Sequence, residues 1–302
     1  MLMSKFILIL ATLSKIGTAL NNGLGLTPPM GYSSWNDCAS EVTEERIKNV
    51  TRALISTGLA AKGFVHVNVD EGWLLGRNTT TGEMIEDRKK FPSGMKALGD
   101  WIHNQVVPGK GKIMKYGLYT SRGTKQCGTA KYEAVGSHGF EAQDASWFAS
   151  VGADYAKIDS CGGSQDHNIA FSDYAKWRDG FNATGRPIYF SLCGWNTWYA
   201  PVGKKLGNSW RIAGDGTNWG ALSNCINQNV DLQEYASPGA WNDPDLLLGN
   251  GVGSNDRDTN PSGCFVADEI PQAKDWYQTY VCFFPCSFFF FRTLSYKSRK
   301  NL

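Results

Sequence analysis

From Pro29 onward, short apolar or β-branched runs alternate with longer stretches whose apolar residues recur at helical spacing. Each pair takes roughly 30 to 40 residues, a rhythm that predicts βα units laid on a parallel sheet. Seven runs read as strands: Met30 to Ser34, Phe64 to Asp70, Met114 to Tyr119, Tyr155 to Asp159, Ile188 to Leu192, Trp210 to Ala213 and Ala240 to Leu247. Helices are expected over Thr43 to Thr57, Gly94 to Val106, Gly139 to Ser150, Ile169 to Asn182 and Asn218 to Tyr235. The first of these opens with Glu44 and Glu45, acidic residues that suit the positive end of a helix dipole.

Polar and aromatic side chains gather where these strands end. Trp35 follows the first, Asp70-Glu71-Gly72-Trp73 the second, Asp159 the fourth, Asp215 the sixth, and Asp243-Pro244-Asp245 surrounds the exit of the seventh. In a βα barrel all such ends lie on one face, where substrates bind. A doubly wound sheet would concentrate them at one switch point beside a Gly-rich phosphate loop, and no such loop is present. The 302 residues suffice for one barrel of about 250, so one domain, residues 20–280, is expected.

The two ends of the chain depart from this rhythm. Lys5, the apolar run Phe6 to Leu13 and the small residues Gly17-Thr18-Ala19 read as a signal peptide over 1–19, too short to span a bilayer; a buried first helix is the alternative. At the other end, residues 281–302 hold the run Val281 to Phe291, interrupted by Pro285, and then a basic stretch from Lys297 to Lys300. That run is also too short to cross a membrane, so no span is expected in the mature chain.

Charge narrows the partners. The formal balance is +2, from 30 basic and 28 acidic residues without long runs of either sign, so no footprint for nucleic acid or membrane phosphate exists. A neutral partner fits better. Eleven Trp and twelve Tyr supply flat faces that suit sugar rings, or fill a core. Passage through the secretory pathway, to an extracellular or a vacuolar or lysosomal destination, would let the eight cysteines form disulfides. It would also make Asn49, Asn78 and Asn182, each the first residue of an Asn-X-Thr triplet, usable for glycosylation. With no CxxC pair and four scattered His, no metal site is expected, and no organic cofactor is implied.

Two carboxylates stand out. Along Tyr155-Ala156-Lys157-Ile158-Asp159-Ser160-Cys161, strand alternation puts Lys157, Asp159 and Cys161 on one face. An ammonium two residues away is expected to depress the Asp159 pKa and keep it ionised, as a nucleophile requires; a buried ion pair is the alternative. Asp215 lies in a Gly-Asp-Gly loop close to Arg211, either a turn residue or an acid displayed at the barrel mouth. Ends of the fourth and sixth strands lie across the same mouth, where two carboxyls at about 5 to 5.5 Å would match a retaining glycosidase.

The motifs Leu26-Thr27-Pro28-Pro29-Met30-Gly31-Tyr32-Ser33-Ser34-Trp35-Asn36, Tyr155 to Gly162, Trp210-Arg211 with Asp215, and Gly239-Ala240-Trp241-Asn242-Asp243-Pro244-Asp245 resemble those of glycoside hydrolase family 27. This family comprises the α-galactosidases and α-N-acetylgalactosaminidases. The resemblance runs from about Gly23 to about Tyr280 and implies a (β/α)8 TIM-type barrel. It further implies Asp159 as nucleophile and Asp215 as acid/base, with Trp35, Asp70, Tyr119, Lys157, Arg211 and Asp245 lining a sugar pocket, and a Cys127–Cys161 disulfide beside it. The reaction implied is removal of terminal α-D-galactosyl residues with retention, through a covalent intermediate.

Three departures qualify that expectation. Glu71 stands where the family commonly has a second Asp, and its longer reach toward the 4- and 6-positions would favour a β-L-arabinopyranoside. Gly194 replaces the Glu that usually binds the 2-hydroxyl, or the Ser of the N-acetylgalactosaminidases, so those substrates stay open. Finally, neither an eighth βα unit nor the family's C-terminal β-sandwich can be read after Tyr280; a barrel truncated after about its seventh unit, even an inactive sugar-binding fragment, is the resulting expectation.

Overall fold

The structure is a computed structural model that describes residues 22–128, 136–216 and 219–245. The expected signal peptide, the 281–302 tail and the last two residues of the seventh expected strand lie outside the described residues.

The chain begins with β1 (Met30–Ser33), a one-turn helix α1 (Trp35–Cys38), α2 (Glu44–Ser56) and β2 (Phe64–Asn68). A hairpin of β3 (Leu74–Arg77) and β4 (Met84–Glu86) is followed by α3 (Met95–His103), β5 (Lys115–Ser121) and α4 (Glu141–Ser150). Then come β6 (Tyr155–Asp159), α5 (His167–Thr184), β7 (Tyr189–Leu192), α6 (Ala200–Leu206), β8 (Ser209–Arg211), α7 (Trp219–Val230) and β9 (Trp241–Asp243). Seven strands form one sheet in the order β1-β2-β5-β6-β7-β8-β9, and every neighbouring pair is parallel. Strand order thus follows chain order, as in a TIM-type barrel. All seven expected strands and all five expected helices are present; the β3–β4 hairpin, α1 and α6 are additional.

Local chemistry explains where helices start and which face they bury. The Thr43 hydroxyl caps α2 by accepting from Arg46 N at 3.3 Å, and Ile47, Val50, Thr51 and Leu54 then fall at the spacing of one buried stripe. Asp166 caps α5 through Ile169 N at 3.0 Å, and Gly185, at φ +69°, ends it in the left-handed conformation. Between α4 and α5, the Phe148 ring lies 5.9 Å from that of Trp177 and 6.2 Å from that of Phe181. Burying each such side chain contributes about 1.5–3 kcal/mol.

Ahead of β1 the chain crosses the N-terminal end of the sheet. Asn22 donates to Ile188 O at 2.8 Å and to Asn208 Oδ1 at 3.1 Å, and Gly25 O accepts from Gly239 N and Trp241 Nε1, both at 2.6 Å. The lead into the first strand is thereby tied to the last described one. Among the described residues no helix is long and apolar enough to cross a membrane.

Candidate active site

At the opposite, C-terminal end of the sheet, strand exits surround a cavity of about 330 Å³ whose wall includes Trp35, Asp70, Glu71, Tyr119, Lys157, Asp159 and Asp215. That volume is at the small end of ligand pockets and suits one sugar ring better than an extended chain. Seven residues selected from the sequence are therefore brought together.

Lys157 leaves β6 and reaches Asp70, with Nζ 2.8 Å from Oδ2. Ser33 Oγ donates to the same oxygen at 3.3 Å, and the ammonium lies 5.1 Å from the centre of the Tyr119 ring. Burial disfavours the charge on Lys157, but Asp70, Cys193 and Asp159 prevail and hold its pKa well above the ordinary lysine value.

This arrangement corrects the expectation for Asp159. Burial is the largest influence on its carboxyl and raises the pKa; Lys157, Arg211, the Ser160 amide and the Cys193 thiol pull the other way, yet the net shift is upward. Burial outweighs the lysine, whose direct bond runs to Asp70: residues two apart on a strand are separated by about 6.6 Å along its axis.

Asp215 behaves in the opposite way. Its side chain is 44% exposed and accepts from Arg211 Nη1 at 3.0 Å. Burial raises its pKa, but Arg211, Lys157 and the hydrogen bonds from Arg211 and the Trp35 indole prevail, holding it below the ordinary carboxylate value. Arg211 and Asp245, both expected on the pocket wall, pair with each other beside it, Arg211 Nη2 meeting Asp245 Oδ1 at 2.9 Å. The Gly216 amide also donates to Asp245, which fixes the loop that displays Asp215.

Glu71 is turned toward the chain as well as the cavity. Gly128 N donates to both of its oxygens at 2.7 Å, Cys127 N to Oε2 at 3.0 Å and Tyr119 OH to Oε2 at 3.2 Å. A Cβ at Gly128 would sit 2.3 Å from Oε1, so glycine is what lets the carboxylate approach. Burial, the largest influence, pushes the Glu71 pKa up to about 6 against these donors. The loop it grips carries the Cys127–Cys161 disulfide, whose Cα atoms are 5.1 Å apart.

Two features escaped the sequence. Trp195 lines the cavity from a left-handed backbone, φ +61°, a conformation that costs a bulky residue about 1–3 kcal/mol. Gly194 before it faces Tyr199, whose ring would lie 1.8 Å from an added Cβ. The missing side chain at Gly194 is thus matched by an aromatic ring filling its space. Trp195 was signalled only by being an aromatic just past a strand end, and for Gly194 what the sequence did not show is the Tyr199 ring that fills its space.

Asn78 and Asn182 are exposed, whereas Asn49 is half-buried within α2. Among the described residues, His138, Glu141 and Asp173 have potential metal ligands within 4.8 Å of one another. Arg122 and Lys176 already pair with Asp173, and Lys176 also faces Glu141.

Comparison with known proteins places this geometry. A family model described as alpha galactosidase A matches residues 27–264. An alpha-galactosidase of Cyamopsis tetragonoloba is 40% identical over 235 residues, covering 76% of this chain and 54% of the relative. One of Oryza sativa subsp. japonica is 38% identical, covering 77% and 54%. Among solved structures, alpha-galactosidase I of Mortierella vinacea aligns with a TM-score of 0.68 at 34% identity, covering 76% of this chain and 62% of that one. The chain spans about half the length of the curated relatives it matches.

Proposed function

The chain belongs to the alpha galactosidase A family of glycoside hydrolases, and on that basis we propose that it removes terminal α-D-galactosyl residues with retention of anomeric configuration. The observation that carries the proposal is that Asp159 and Asp215, from different strand exits, line one cavity sized for a single sugar. Asp159 attacks the anomeric carbon, the C1–O bond to the leaving group breaks, and Asp215 delivers its proton to the departing oxygen. A water molecule then gives its proton back to Asp215 and attacks the glycosyl ester, restoring both acids.

The electrostatics support this division of labour only once the sugar is bound. In the empty site Asp215 is half-open to water beside Arg211, which favours its anion. A sugar and its aglycone laid over it remove that water and raise its proton affinity, as a general acid needs. Asp159 is already dry, at 5% exposure, so binding changes it less; burial raises its pKa, and Lys157 and Arg211 oppose that rise in favour of the ionised form that attacks.

Two other substrates share the pocket chemistry. Glu71 on the wall, where a shorter acid would leave more room, favours a pyranoside without the hydroxymethyl group, a β-L-arabinopyranoside. An N-acetylgalactosaminide is less favoured, because the Tyr199 ring and not open space stands next to Gly194. The disulfide and the exposed Asn78, held in a turn by Thr80 N and Thr81 N, support a route through the secretory pathway.

Hydrolysis of the three aryl glycosides by this chain and its Asp159→Asn variant, with the anomer followed by NMR, tests the reading. The expected outcome is α-galactoside turnover with retention, reduced at least a thousand-fold by the substitution. Equal activity in the two proteins refutes the nucleophile, and a faster arabinoside shifts the substrate to the second reading.

A further inference from the structure

We propose that Cys193 is a positioning residue that joins the two carboxylates: its thiol donates to Asp159 while its sulfur accepts from Arg211, the guanidinium that holds Asp215. The inference rests on the roles assigned above to Asp159 and Asp215.

Strand register brings these groups together. Ile158 on β6 pairs with Leu192 on β7, and Cys193 N donates to Ile158 O at 2.9 Å, so Asp159 and Cys193 follow side by side at the two strand exits. Cys193 is a free, fully buried cysteine. Such a residue usually behaves as a small hydrophobe. Here its neighbours are polar: Arg211 Nη1 lies 3.4 Å from the sulfur, and the Asp159 carboxylate beside it and the Lys157 ammonium are close enough to act on it.

The chemistry of the three groups fixes the direction of each bond. A guanidinium only donates, so Arg211 must face a sulfur lone pair. An ionised carboxylate only accepts, so the single thiol hydrogen is left for Asp159. Nη1 carries two hydrogens, which accounts for its second contact, Asp215 Oδ1 at 3.0 Å. One neutral thiol therefore sets the orientation of the nucleophile and shares a nitrogen with the acid/base, while adding no charge to a cavity that already holds Lys157 and Arg211. Burial and the facing Asp159 push the thiol's own pKa well up, which keeps the hydrogen in place.

Removing the thiol takes one donor from the Asp159 anion and leaves its other neighbours in position: Lys157 and the Ser160 amide on its own strand, Arg211 from β8, and Glu71 and Tyr119 across the cavity. Proton affinity of Asp159 should then rise.

The test compares the full chain with Cys193→Ala and Cys193→Ser. The Asp159 midpoint is read from its carboxyl stretch in difference infrared spectra, assigned by loss of the band in Asp159→Asn, and kcat/KM for 4-nitrophenyl α-galactoside is followed against pH. Alanine is expected to raise the midpoint by about one pH unit, the shift given by one charge-assisted hydrogen bond of ordinary strength. Serine, which keeps a donor, should recover most of that shift, and the acid limb of kcat/KM should move in step. An unchanged midpoint, or equal shifts for alanine and serine, would overturn the proposal and leave packing as the role of Cys193. The infrared midpoint does not depend on turnover, so a chain that hydrolyses nothing, or an active Asp159→Asn variant, would sink the assigned roles while the thiol bond is still decided.

Discussion

Glu71 shows how burial can prevail over three protein donors at a single carboxylate. Its pKa moves from an ordinary 4.5 to about 6, so between those values the folded protein holds a proton that the unfolded chain has lost. The contribution is present below pH 4.5 and disappears as the pH rises through 6; the shift corresponds to about 2 kcal/mol. The unfolding free energy of the native chain minus that of Glu71→Gln, measured in urea, should therefore fall by about 2 kcal/mol between pH 4 and pH 7. A difference that rises or stays flat would contradict the burial argument. At Gly194 the limit is space. Gly194→Ala drives a methyl group into the Tyr199 ring and should cost about 2 kcal/mol, with part of the loss recovered in the Gly194→Ala/Tyr199→Leu double variant. Additive losses in thermal unfolding would show that the two positions do not meet.

The Cys127–Cys161 bridge joins the loop after β5 to the exit of β6 and closes a separation of 34 residues. The chain-entropy relation assigns such a link about 4 kcal/mol. Cys127→Ser should lower the urea midpoint accordingly and loosen the Glu71 contacts, and an unchanged midpoint would show that Glu71 anchors the loop alone. Most of the elements were legible in the sequence because parallel barrel strands are buried on both sides and read as compact, mostly apolar runs; all five positions of β6 are buried, Lys157 and Asp159 among them. The α6 helix was hidden by Pro201 and Gly203, yet proline is tolerated in a first helical turn, and the glycine admits the Trp210 ring, 2.1 Å from where its Cβ would be. The β3–β4 hairpin was hidden by its brevity and by Gly76. The site was legible to the same depth: carboxylates at strand exits announced themselves, whereas partners set by three-dimensional reach did not. Lys157 sits two residues from Asp159 and does favour its anion, but its direct bond runs to Asp70, a partner that spacing along the chain does not reveal, and the Arg211–Asp245 pair likewise joins residues far apart in sequence.

Across the molecule, one asparagine ties together parts far apart in the chain. Asn208 accepts from Asn22 and Phe190 N and donates to Asn22 and Gly239 O, so it connects the lead into β1 with β7 and the approach to β9. Asn208→Ala would leave the buried Phe190 amide, the half-buried Gly239 carbonyl and the Asn22 side chain without this partner and should cost about 3 kcal/mol. Amide hydrogen exchange should quicken at Phe190 and around Gly239 and Trp241 together; acceleration at Phe190 alone would mean that β7 and the approach to β9 are not coupled through this residue. Trp195 has a different consequence. Its left-handed backbone is one that glycine adopts freely, so Trp195→Gly removes strain while it strips an aromatic face from the cavity. Laboratory selection for heat tolerance alone should therefore drift toward glycine at this position and, in doing so, select binders of sugar that grow steadily worse.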